Sequence, residues 1–388
     1  MQVEGGTVTS EAEGSELVPP DAVTSVDELT AEERQEFEGE RAQLKQFIDG
    51  LSAIDIKSGT WFTKLISHGL VTYATKADWK YFAEQYPGVP ADAIVDQRIK
   101  MAARYASLAG GLSAAAYTGA VAATIGSLSA ASPITVPAAV GTLMFDLSYV
   151  TVAQLRLAHD VAVLYRVPLD VNDPADIYKL IRVAFTIKSG QVTSSSLLKV
   201  VPAFLRFLLK KFYSGSVLAA ARSLPFIGKY LLQRTVIKVA LPGIGIPLAV
   251  GVNYWTTIVA GKHARAVFRN EARVIESSRR IMEPSRHPQL LLWVAWLVVN
   301  ADRRISDDEA LMLRHLMIDA RELHQVVDEQ LAQTIDLDAG DVWRRIDGVD
   351  GDLNDLIEAS RRVATIDGEV NELEQAVLDQ IAERCRRG

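Results

Sequence analysis

The sequence predicts an all-α protein built from two helical domains, on three observations. Long charge-free runs rich in Ala and Gly are broken by proline, helix-start patterns recur along the chain, and the last hundred residues are regularly amphipathic. Residues 1–25 are rich in Gly, Ser, Thr, Glu and Pro and lack periodicity, which predicts a disordered acidic tail. Thr30-Ala31-Glu32-Glu33 then offers a capping-box pattern, in which hydroxyl and carboxylate each bond the other residue's backbone N–H. The helix it starts is expected to run to about Asp49.

From Tyr105 to Phe145 no residue is charged, over forty-one positions. Pro133 and Pro137 interrupt this run, so two helices should meet near Pro133, the second passing through Asp146, Gln154, Arg156 and Asp160. A bilayer span needs about 20 apolar residues. Here the apolar content is mostly Ala and Gly, which favours a buried helical hairpin over a transmembrane one. Asn172-Asp173-Pro174 predicts another helix start, with Asp173 as N-cap and Pro174 at the first position. Between Leu197 and Tyr213, Lys199, Arg206 and Lys210 share one narrow face of an otherwise apolar helix with Ala203, as an interfacial helix or a core helix with one solvated strip would. Leu241-Pro242-Gly243-Ile244-Gly245 reads as a turn feeding a long helix from about Leu248 to Arg280. The expected domains are 26–283 and 289–388, with a linker at 284–288.

Charge is strongly segregated. Between Ile177 and Asn270 there is no Asp or Glu, yet fourteen Lys and Arg. The whole chain has a formal charge of −7, so everything outside that stretch carries −21. A partner that uses both cations and apolar surface is an anionic membrane. Nucleic acid would use only the charge, and the aromatic residues do not interleave with the basic ones as a base-stacking platform requires. The residues expected to bind the membrane are Lys199, Arg206, Lys210, Lys211, Arg222, Lys229 and Arg234. A single cysteine, Cys385, and an acidic start without an apolar core fit a chain made and kept in the cytoplasm.

One motif occurs twice in the last domain. Asp302-Arg303-Arg304-Ile305-Ser306-Asp307-Asp308-Glu309 and Asp367-Gly368-Glu369-Val370-Asn371-Glu372-Leu373-Glu374 both read Asp-x-x-[Ile/Val]-x-x-x-Glu. Each follows an apolar helix end and precedes another helix, which predicts a pseudo-twofold bundle with two helix–loop–helix corners. Ser306 with Glu309, and Asn371 with Glu374, have capping-box spacing. The other reading is a cation site, in which Asp302, Glu309, Asp367 and Glu374 offer carboxylates to Ca or Mg.

These corners carry a resemblance. The C-terminal domain resembles the tellurite-resistance TerB family, whose hallmark is a pair of Ala-x-x-Asp-Gly-x-[Ile/Val]-x-x-x-Glu-like corners on an all-helical fold. Asp302, Ile305, Glu309 and Asp367, Gly368, Val370, Glu374 match, while Arg303 stands where that family prefers Gly. The resemblance implies a role in metal or stress response at a membrane. Residues 60–270 or so resemble the EcsC family of bacterial proteins, through Pro133-Ile134-Thr135-Val136-Pro137, Leu164-Tyr165-Arg166-Val167-Pro168-Leu169-Asp170, the Leu241–Gly245 turn, Gly251, Asn253 and Ala264. That family is named for a protein encoded beside an ABC transporter, which implies a membrane protein or such a transporter as a partner.

No catalytic signature is present: no Gly-x-Ser-x-Gly, no phosphate-binding loop and no His-Glu-x-x-His. The expectation is therefore a non-enzymatic protein peripheral on the inner face of the membrane, in stress, defence or transport accessory work. One alternative is a membrane-inserting, pore-type effector using the two charge-free runs. Another is a lipid-modifying enzyme, for which Asp146, His159 and Asp160 are the first residues to change because they are polar in an apolar helical context.

Overall fold

The computed structural model describes residues 29–126, 132–185, 246–302, 304–326, 339–349 and 351–386. Among them the chain is all-α, with helices, turns and no strand. The described residues divide into two compact units, one of those up to 185 with 246–266 and one of those from 267 onward. The sequence placed the linker at 284–288. That segment lies between helices, and the contacts of the long helix Ile246–Met282 pass from one unit to the other, since Val274, Ile281 and Met282 are buried in the core of the second.

The first unit opens with α1 (Ala31–Asp49), capped as expected: Thr30 Oγ1 accepts from the Glu33 N–H, and Glu33 Oε2 from the Thr30 N–H. Phe37 and Leu44, seven residues apart, are its buried residues, so one stripe meets the core. A short α2 (Ala53–Ser58) ends at Gly59, whose φ of 82° suits a residue without Cβ. Then α3 (Thr60–Ile66) buries Trp61, Phe62, Leu65 and Ile66 and runs into a π-helical turn, Ser67–Val71, before α4 (Thr72–Ala74). Gly69 in that turn is required by contact: a Cβ there would lie 2.8 Å from Val152 Cγ2. After α5 (Trp79–Gln85) come the two longest elements of this unit's first half, α6 (Ala91–Gly126) and α7 (Ser132–Leu164).

These two helices are the expected hairpin, and the second starts beside Pro133. Val95, Ile99, Ala103, Ala106 and Ala109 of the first and Leu155, Leu157, Ala158, Val161 and Ala162 of the second are all buried. Small residues let the backbones approach closely, which is where the Ala-rich composition goes. No helix among the described residues is long and apolar enough to cross a membrane. Asp173 caps α8 (Pro174–Ala184) through the Ala175 N–H, with Pro174 first in the helix. The early part of α9 (Ile246–Met282) lies on the hairpin. Its Asn253 Nδ2 donates to Asp146 Oδ1 at 2.8 Å and to the Ala106 carbonyl at 3.3 Å. Gly261 sits against both hairpin helices, since a Cβ there would meet Ile99 Cγ1 at 2.7 Å and Leu157 Cδ2 at 3.0 Å.

The second unit packs the rest of α9 with α10 (Pro288–Val299), α11 (Asp307–His324), α12 (Ala339–Asp347), α13 (Asn354–Ala364) and α14 (Glu372–Cys385). The first of these five is apolar nearly all round and buries eight of its twelve residues, as a central helix must. Met312, Leu316, Leu356, Val363 and Ile381 close around it.

Cys385 ends α14 inside this core, and burial pushes its thiol up to about 11, with the Asp355 carboxylate adding to the effect. Only a thiolate attacks disulfide reagents, so Cys385 should react at pH 8 with an aromatic disulfide at least about tenfold more slowly than free cysteine. Absorbance of the released thiol follows the rate, and unfolding in urea should abolish the difference.

Candidate functional site

Where polar residues interrupt the packing of the first unit, they gather round a cavity of about 100 Å³. Its walls come from α1 (Glu36, Glu40), the π-helical turn (Gly69), α4 (Tyr73), α6 (Arg98, Tyr105) and α7 (Tyr149, Arg156, Asp160).

Asp160 is the deepest group, with no solvent exposure. Arg98 donates to its Oδ2 from Nε at 2.8 Å and from Nη2 at 2.7 Å. The Tyr73 hydroxyl donates to its Oδ1 at 2.8 Å, and that same hydroxyl accepts from Arg98 Nη2 at 2.9 Å. Burial alone would raise the Asp160 pKa, but the Arg98 charge and the bonds from Tyr73 and Arg98 outweigh it and hold the carboxyl below its ordinary value. Burial and the Asp160 charge drive the Tyr73 phenol far above its usual range. Arg98 remains a cation, because Asp160 and Tyr73 outweigh the burial that opposes its charge.

A second ion pair lies beside the first. Arg156 Nη1 pairs with Glu40 Oε1, its Nε donates to the Gly69 carbonyl at 2.9 Å, and its guanidinium lies 4.9 Å above the Tyr73 ring. The Tyr149 hydroxyl donates to Glu40 Oε2 at 3.0 Å. Burial still dominates at Glu40 and raises its pKa against the pull of Arg156 and Tyr149. At the mouth, exposed Glu36 accepts from the Tyr105 hydroxyl at 3.3 Å. Phe37 lies under both tyrosines, with ring centroids 5.9 Å from Tyr105 and 5.7 Å from Tyr149.

Asp146, His159 and Asp160 occupy structural positions. Asp146 accepts from Asn253, and Asp160 is sealed by Arg98 and Tyr73. His159 is buried, and its Nδ1 lies 3.9 Å from Asp160 Oδ1, too far for a hydrogen bond. His159 and Asp160 are sealed from solvent, while Asp146 is half-buried.

The membrane residues Lys199, Arg206, Lys210, Lys211, Arg222, Lys229 and Arg234, and the helix expected at 197–213, lie outside the described residues, as do Arg303 and the tail at 1–25. Of the other cations in the basic stretch, Lys262 is exposed, whereas Arg265 is ion-paired to Asp92 at 3.1 Å and Asp96 at 2.7 Å. The acid-free stretch is therefore partly neutralised by residues far from it in sequence.

In the second unit the acidic corners do meet: Asn371 Nδ2 donates to Asp302 Oδ2 at 3.2 Å. Both capping boxes form, Ser306 with Glu309 and Asn371 with Glu374. Burial raises the pKa of both glutamates against their capping bonds, and the neighbouring carboxylates add to it. Asp302 and Asp367 accept from loop N–H groups at Arg304 and Glu369, at 2.7 and 3.2 Å. Gly368 has φ of 92°, which explains the Asp-Gly pair at this turn. Among the described residues no group of three or more His, Cys, Asp or Glu side chains is placed to hold a metal ion.

The cavity's other polar residues were not singled out by sequence. The signal available was Arg98, Arg156 and Glu40 on faces that also carry core residues, a pattern that becomes informative only when three helices converge. Compared with known proteins, the chain matches no family model, no curated protein and no solved structure.

Proposed function

We propose that the protein is a non-enzymatic binding protein that docks peripherally on anionic lipid through its basic, apolar middle stretch. The observation that carries this reading is the fourteen Lys and Arg between Ile177 and Asn270 with no acidic residue among them. Each cation near an anionic leaflet contributes about 1 kcal/mol, so five or six acting together give reversible attachment. Ion pairing removes Arg265 from that set, and the burden falls on the cations between Lys188 and Lys238. A peripheral mode agrees with the lack of any membrane-spanning helix among the described residues.

The full chain should co-sediment with vesicles containing phosphatidylglycerol and not with pure phosphatidylcholine vesicles, and about 0.5 M salt should release it, since screening then acts within a few ångströms. Sedimentation that ignores lipid charge, or that resists salt, refutes the reading.

A further inference from the structure

We propose that the polar cavity between α1, α4, α6 and α7 is a binding site for a small zwitterion of amino-acid size. The inference is independent of membrane docking and rests on what the walls leave unused. Among the described residues, Arg98 Nη1 and Arg156 Nη2 make no hydrogen bond, although the other nitrogens of both groups are committed. Glu36 Oε1 accepts none either, its Oε2 being used by Tyr105. The lining thus keeps donors of positive charge and an acceptor of negative charge after its own pairs are satisfied.

The electrostatics select against a simple ion. Each guanidinium is already matched by a carboxylate, Arg98 by Asp160 and Arg156 by Glu40. A lone anion drawn to the guanidinium N–H groups would lie beside those carboxylates. A lone cation drawn to Glu36 would approach two guanidinium groups. A molecule carrying both charges a few ångströms apart can place its carboxylate on the guanidinium side and its ammonium at Glu36.

Size narrows the class. A cavity of about 150 Å³ takes benzene, so the space of about 100 Å³ suits a group of about five heavy atoms. The ion pairs hold the wall residues in place before binding, which keeps the ordering penalty small.

Calorimetric titration of the full chain in lipid-free buffer at pH 7 tests this with glycine, acetate and methylammonium, each alone. Glycine should bind, with acetate and methylammonium at least tenfold weaker. Glu36→Gln, a change at an exposed residue, should weaken glycine at least fivefold while leaving the thermal melt in place. Glycine that gives only dilution heat, acetate or methylammonium that binds as well as glycine, or an E36Q protein that binds like the parent overturns the proposal. Because no lipid is present, failure here leaves the membrane reading standing, and failure of vesicle binding leaves this one standing.

Discussion

Asp160→Ala is expected to lower the unfolding free energy by about 3–5 kcal/mol, since removing one partner of a buried ion pair strands the other. Three groups lose their counterpart at once: both donating nitrogens of Arg98 and the Tyr73 hydroxyl. Water reaching the new space restores part of the loss, because the Arg98 side chain is itself 15% exposed. The sign of the pH dependence separates the electrostatic part from packing. The Asp160 pKa is lower in the folded chain than its unfolded value of about 3.9. Its ionic contribution is therefore complete above that value and disappears as pH falls through the folded pKa. Glu40 acts in the opposite sense: its folded pKa is raised, so its contribution favours the fold at low pH and is lost as pH rises through the folded value. Urea unfolding followed by circular dichroism at pH 7 and near pH 3 should show the parent and the Asp160→Ala protein converging as pH falls. A constant gap would assign the effect to packing alone, and a gap below about 1 kcal/mol at pH 7 would show that the pair carries little.

Phe37→Ala is the second large effect, about 3–5 kcal/mol for deleting a buried aromatic side chain. Phe37 is 1% exposed and is one of two buried residues on α1, so most of that helix's attachment runs through it. Its ring supports Tyr105 and Tyr149, the tyrosines that donate to Glu36 and Glu40. Loss of the ring should therefore loosen α1 locally as well as lower global stability. Limited proteolysis should show new cleavage between Ala31 and Asp49 under conditions where the hairpin stays intact. Cleavage of α1 no faster than in the parent would place the helix's attachment elsewhere.

Much of this architecture was legible because local rules sufficed. Thr30 with Glu33, Asp173 before Pro174, Ser306 with Glu309 and Asn371 with Glu374 each state a helix start within four residues, and each forms as read. The hairpin followed from proline placement, and the absence of Leu-rich runs within it argued for burial between helices. The cavity was hidden for the opposite reason. Its key bonds join residues 62, 87 and 116 positions apart, and nothing local to Arg98 or Glu40 names the partner. Asp160 drew notice as a polar residue in apolar surroundings, yet its neighbours make it an anchor and not a reagent. A helix looks continuous in sequence even where its contacts change owner, as α9 does at residue 267.

The π-helical turn at Ser67–Val71 has a bearing on all of this. Such a turn accommodates one residue more than an α-helical turn does, and each residue advances the helix by about 100°. The phenol of Tyr73, immediately downstream, owes its compass bearing to that surplus residue. Wound evenly, the same stretch would swing the ring by about 100° away from Asp160. One irregular winding thus sets the azimuth of the Tyr73 phenol within the polar assembly.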